Sequence, residues 1–153
     1  MSFDINNPAH LAELKAEVNT DPLAIGYNPA NGDTNEILAF INAKNYTVAK
    51  PSIDVNAVKD ATTYDAFDGL LTPEQGWLQW QTDRSGDIGV SAEIRQKLAG
   101  DPTTNNAIWA AADRNAMNAV MLALMDVPGG RAEVLWGYGT TISRDDWIAA
   151  RDS

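Results

Sequence analysis

What most constrains the fold of this chain is how often helix starts and helix breakers recur between short apolar periods. Asn7-Pro8 supplies a cap and a proline for the first helical position, and Leu11, Leu14 and Val18 follow at three- and four-residue spacing, predicting a helix over 8–18. Asn19-Thr-Asp-Pro22 ends it, and Asn31-Gly32-Asp33 makes a turn before a second helix carrying Ile37, Leu38 and Ile41. Between Asn45 and Thr72 two short helices are read, one bearing Val55 and Val58, the other Tyr64, Phe67, Leu70 and Leu71. Thr72-Pro73-Glu74-Gln75 reads as a capping box ahead of Trp77, Leu78 and Trp80, and Ser91 caps a helix with Ile94 and Leu98 inward.

The longest periodic segment runs from Thr104 to about Asp126. Ile108, Trp109, Ala112, Ala116, Val120, Leu124 and Val127 mark one stripe, widened by Met117, Met121 and Leu122, and Pro128-Gly129-Gly130 stops it. One or two turns follow over 131–136, Gly137 to Ile142 is expected to be extended, and Ser143 to Asp146 forms a second capping box before a terminal helix. Trp77, Trp80 and Trp109 are assigned to the core. The expected fold is mainly α: a single domain over 1–153, a compact bundle of short helices around one long helix (about 104–126), with a short extended C-terminal segment.

Length and composition are those of an ordinary globular chain. At 153 residues, 44% hydrophobic and 21% charged, one core is expected. The net charge of −10 argues against duplex binding, which requires clustered Lys and Arg, and against anionic membranes. The basic residues change type along the chain, from four lysines up to Gln75 to six arginines and Lys97 beyond it, so the later half is the better place for a protein-docking surface. The N-terminus lacks a basic start followed by an apolar run, and no long apolar window occurs, so neither signal-peptide export nor a membrane span is predicted.

The residue types needed for most catalysis are scarce. There is no cysteine, which removes disulfides, thiolate nucleophiles and thiolate metal sites, and the one histidine, His10, is most simply a surface or half-buried structural residue. Calcium-loop alignments fail: with Gly32 as the turn glycine, Tyr27 and Leu38 fall where carboxylates must be, and Asp83, Ser85 and Asp87 are followed by Ile88 and Ile94 at the glycine and glutamate positions. Gly137-x-Gly139 continues without the third glycine of a dinucleotide loop, and no phosphate-binding lysine motif occurs. No catalytic, cofactor-binding or metal-binding residue is assigned. Paired carboxylates among the 21 acidic residues keep a small carboxylate- or metal-dependent enzyme open as a rival from another class. A generic soluble adaptor of cellular origin also fits the composition.

Two blocks carry a resemblance. Leu14-Lys-Ala-Glu-Val-Asn-Thr-Asp-Pro-Leu-Ala-Ile-Gly-Tyr27 and Arg131-Ala-Glu-Val-Leu-Trp-Gly-Tyr-Gly-Thr-Thr-Ile-Ser-Arg-Asp-Asp146 resemble the opening and closing patterns of a family of tailed-bacteriophage head–tail connector (neck adaptor) proteins. Together they cover about a fifth of the chain, and the middle is similar only in helical pattern. The resemblance implies a largely helical structural protein of the virion neck, assembled in the bacterial host cytoplasm. It would stand as a ring of about a dozen copies between the portal protein and a stopper or tail-terminator protein, with DNA passing through but not gripped. It also implies a C-terminal docking segment, 137–153, with Trp136, Tyr138, Arg144, Trp147 and Arg151 as the partner-binding residues. Tryptophan and arginine suit that role, since both are favoured at interface hot spots. Another virion part, a tail-completion or minor capsid protein, is the alternative within the same class.

Overall fold

The computed structural model describes residues 2–31, 33–101 and 106–153. It is mostly helical with two small two-stranded sheets, and its core residues form two clusters instead of the single core that chain length predicts. The clusters belong to two compact units, the first made of residues 1–48 and 128–153 and the second of residues 49–127.

In the first unit, α1 (Pro8–Thr20) starts where the sequence predicts, with the Asn7 side chain accepting from the Ala9 amide at 3.0 Å and Pro8 in the first turn. It ends at Asp21, which takes a left-handed conformation at φ 42°. A single 3-10 turn (Pro29–Asn31) leads to α2 (Thr34–Asn42), capped by Asp33, whose carboxylate accepts from the Glu36 amide. Gly32, the centre of the expected turn, lies outside the described residues. After the second unit the chain returns through α8 (Arg131–Trp136) and α9 (Arg144–Asp152). Helix α9 packs on α1, and α2 packs on both α8 and α9. They enclose Leu14, Val18, Tyr27, Ile37, Ile41, Ala132, Trp136, Ile142, Trp147 and Ala150.

Strands β1 (Tyr46–Ala49) and β4 (Asp126–Gly129) pair with each other; they are the stretches on which the chain leaves the first unit and comes back. Within the second unit, β2 (Ser52–Asp54) pairs antiparallel with β3 (Asp87–Gly89), Ile53 opposite Ile88, both buried. The strand segments are too short for a period-two pattern to stand out, which is why sequence reading yields helices or breaks there. The unit's helices are α3 (Val55–Ala61), α4 (Tyr64–Asp68), α5 (Thr72–Thr82), α6 (Ala92–Ala99) and α7 (Arg114–Met125).

Four sequence expectations change in this unit. Helix α5 begins one residue earlier than a Thr72 cap requires: Leu71 holds the cap position without a side-chain bond, and the Gln75 side chain donates to the Phe67 carbonyl instead of reaching back. The long helix is shorter. Its expected start at Thr104 and Asn105 lies outside the described residues, Ile108 and Trp109 are not helical, and α7 begins only at Arg114. Trp109 is nonetheless fully buried, its indole N–H donating to the Leu98 carbonyl at 2.7 Å, which satisfies a polar group that would otherwise resist burial. Finally, α7 turns its Met117-Met121-Met125 row inward, while Ala116 and Val120, expected to face the core, are exposed. Trp80 is likewise exposed, with the Arg84 guanidinium 4.9 Å above its ring.

Candidate partner-binding surface

The two sequence blocks quoted above lie in the first unit, and side chains more than a hundred positions apart join them. Glu17 in α1 and Arg131 in α8 form a bidentate pair, Nε to Oε1 at 2.7 Å and Nη2 to Oε2 at 3.2 Å, and Glu17 is 6% exposed. Tyr27, 1% exposed, directs its hydroxyl to the same carboxylate at 3.3 Å. Burial first, and then the neighbouring Glu17 charge, raise the Tyr27 phenol well above its ordinary value. The hydrogen bond to Glu17 raises the Arg131 guanidinium further still. The guanidinium fork supplies the two parallel bonds that a buried carboxylate needs.

The loop after α1 explains the rest of the first block. With Asp21 in the left-handed region, its carboxylate accepts from the Ile25 and Gly26 amides at 2.7 Å each, and Gly26 itself sits at φ 98°. That geometry delivers Tyr27 to the core. A left-handed Asp at the end of α1, the two loop amides its carboxylate accepts from, a Gly with positive φ and a buried Tyr are thus one local device.

In the second block Glu133 is the organising residue. It is 4% exposed, and its carboxylate accepts from the Gly130 amide at 2.7 Å, the Gly139 amide at 2.9 Å and the Lys44 ammonium at 2.7 Å. Burial alone would raise its pKa, but the Lys44 bond and the two backbone amides together outweigh that and hold the carboxyl below its ordinary value. One side chain therefore starts α8 and fixes the loop that leaves it. Gly137 and Gly139 turn that loop at φ 102° and 86°. The segment 137–142, expected to be extended, holds a turn at Tyr138–Gly139 and is otherwise coil, and Asn42 takes both backbone groups of Ile142, accepting from its N–H and donating to its carbonyl, each at 2.9 Å. Helix α9 then starts with the predicted box: Ser143 Oγ accepts from the Asp146 amide at 3.2 Å, and Asp146 Oδ2 accepts from the Ser143 amide at 2.8 Å.

These contacts decide what each proposed partner-binding residue can offer. Trp136, at 1% exposure, donates its indole N–H to Glu13 at 3.0 Å, and Trp147, at 3%, packs in the same core, so both side chains are committed inside the unit. Tyr138 is 47% exposed, and Arg144 and Arg151 are exposed, Arg151 beside Asp152. Of the five proposed partner-binding residues, Tyr138, Arg144 and Arg151 are therefore the outward ones.

Tyr138 borders a cleft of about 440 Å³ whose other walls are residues 2–5, Gly139 to Thr141 and Asp146. Its N-terminal wall is fixed by Phe3, edge-on to Trp136 at 5.1 Å and stacked on His10 at 5.8 Å, while His10 Nδ1 accepts from the Asp4 amide at 3.0 Å. His10 is accordingly buried, at 7% exposure, not a surface residue. Sequence reading overlooks this cleft because neither wall has a motif: residues 2–5 precede the first helix, and only the tertiary stacking of Phe3 brings them to Thr140.

Among the described residues no group of three or more acidic or histidine side chains is placed to hold a metal ion, and no helix is long and apolar enough to cross a membrane. What the fold and this surface define is a mainly helical protein with small antiparallel sheets and an arginine- and tyrosine-bearing outer face on its first unit. Compared with known proteins, the chain matches no family model, no curated protein and no solved structure.

Proposed function

We propose that this chain is a structural protein of a tailed-phage virion, a head–tail connector that stands as a ring between the portal and the next neck or tail protein. The observation that carries the reading is that its two connector-like blocks meet in one unit through Glu17 and Arg131. The acidic balance is compatible, since a ring that passes DNA should not hold it. In this reading the portal-facing residues are Tyr138, Arg144 and Arg151, with Trp136 and Trp147 holding them in place from beneath. A tail-completion or minor capsid protein is the neighbouring assignment within the virion.

Mixing the purified protein with the portal of its own phage, followed by native mass analysis and electron microscopy, tests this. The expected result is a ring of the chain bound to one end of the portal. A chain that stays monomeric and binds neither portal nor any other neck protein overturns the proposal.

A further inference from the structure

We infer that the cavity between α3, α4 and α5 in the second unit is a binding site for a carboxylate carried on a ring-sized apolar body. The inference rests on the second unit alone and is independent of the connector reading, whose two blocks lie in the first.

Shape comes first. The cavity measures about 350 Å³, within the usual range for small-molecule sites, and is bounded by the last turn of α3, by α4 with its cap residue Thr63, and by the buried face of α5. Leu78, 3% exposed, belongs to the unit's core and the half-buried Phe67 packs on it, so the cavity reaches down to the core. Tyr64 at its edge is 79% exposed, more than any other large apolar or aromatic side chain among the described residues. A ring-sized group entering between them removes apolar surface from water, and pairing of aromatic rings adds to the gain.

Charge selects the polar end of the ligand. The lining holds one cation, Lys59, and no carboxylate or carboxamide, although the unit as a whole carries eleven Asp and Glu against six Lys and Arg. Asp60 and Asp65, the nearest acids in sequence, are exposed and do not line it. Lys59 takes part in none of the ion pairs among the described residues. An unpaired ammonium beside an acid-free recess, in an otherwise acidic unit, gives an anion attraction there without a competing carboxylate.

The hydroxyls of the lining narrow the choice. Thr62 donates to the Val58 carbonyl at 2.7 Å and Thr82 to the Leu78 carbonyl at 2.9 Å, so both protons are already placed within the protein. Thr63 Oγ1 instead accepts from the Ala66 amide at 3.2 Å, and its hydroxyl proton has no acceptor among the described residues. The side-chain donors left to a ligand are therefore the Lys59 ammonium, the Thr63 hydroxyl and the exposed Tyr64 hydroxyl. Donors without acceptors suit a carboxylate, which only accepts. A phosphate dianion calls for more than one cation, and a metal ion or an amine finds no carboxylate in the lining.

The test is an NMR titration of the full-length, isotope-labelled protein at neutral pH with hydrocinnamate. Its uncharged isostere hydrocinnamamide, acetate, and the dipeptide acetyl-Gly-Phe with a free carboxylate serve as parallel arms. Hydrocinnamate is expected to give saturable shifts at the amides of Lys59 to Phe67 and Leu78 to Thr82. Hydrocinnamamide should bind about tenfold more weakly, as loss of one charged hydrogen bond implies, and Lys59→Gln should weaken the acid by about the same factor. Acetate, the carboxylate without the apolar body, should not saturate over the same range. A response to the dipeptide at least as tight as to hydrocinnamate assigns the site to the carboxyl end of a partner chain, and a weaker one assigns it to a free small acid; both support the site. Equal binding of acid and amide, equal binding of acetate, no saturable shift up to the solubility limit of the acid, shifts confined to other residues, or unchanged affinity in Lys59→Gln would each overturn the assignment. The amide and acetate arms need no variant, so the proposal stays exposed even if the substitution fails to fold.

Discussion

At the scale of single residues, the first unit depends on two buried carboxylates, Glu17 and Glu133, which act as local organisers instead of chemical groups. Glu133 is the more instructive, because Lys44 is 59% exposed at its side chain and the pairing alone would contribute little. Most of its worth lies in the Gly130 and Gly139 amides, which have no other acceptor of that geometry. Glu133→Gln removes the charge and turns an amide N–H2 toward donors, so it should destabilise the protein by about 2–3 kcal/mol, read from the urea midpoint. The pH dependence has a definite sign. Glu133 has a lowered pKa in the folded chain, so its contribution is fully present above the unfolded value near 4.5 and is lost as pH falls through the lower folded value. The acid side of the stability curve should be shallower in Glu133→Gln than in the parent. Such roles are only half legible in sequence. Ser143 and Asp146 can be read as a cap because both partners are local, but Glu133 serving Gly139 and Lys44 needs the fold, and so do Trp136 and Trp147, whose residue type suits an interface as well as a core.

At the scale of elements, caps and breakers predict where helices start and stop, and tertiary contact decides which face is inside. The Pro128-Gly129-Gly130 run reads as a stop signal, yet the backbone there is not in a region reserved for glycine. The reason is space: a Cβ on Gly130 would lie 2.9 Å from the Asn42 carbonyl oxygen, and one on Gly129 would lie 2.4 Å from a Val48 methyl. Gly130→Ala should therefore cost about 1–3 kcal/mol, seen as a lower melting temperature, because backbone must move to admit it. Helix α7 gives the converse lesson. Its sequence between Arg114 and Asp126 carries no charge, so hydropathy cannot separate the methionine row from the Ala116–Val120 face, and a stripe shifted by one residue fits equally well. Thermal and urea unfolding distinguish them: Met121→Ala should lose about 2–5 kcal/mol, and Val120→Ser should stay within about 0.5 kcal/mol of the parent. The reverse order would restore the stripe expected from the sequence.

At the scale of the whole molecule, the second unit is an insertion in the sequence of the first, and the first contains both connector-like blocks. The acidic charge does not separate them: five Lys and Arg face ten Asp and Glu in residues 1–48 and 128–153, and six face eleven in 49–127. Neither unit has the basic excess that holding duplex DNA requires. What separates them is packing, since each has a core cluster drawn wholly from its own residues. The first unit closes on itself near the point of insertion, where Val48 lies against Gly129 and the Asn42 backbone against Gly130. A short flexible linker in place of residues 50–126 therefore spans a gap already closed by contact, and loop-closure cost grows only slowly with linker length. The shortened chain should fold, with Trp136 and Trp147 giving the near-ultraviolet dichroism of a fixed core and a cooperative melt. A flat dichroism signal with no transition would show that the Glu17–Arg131 junction and its surrounding core do not suffice alone.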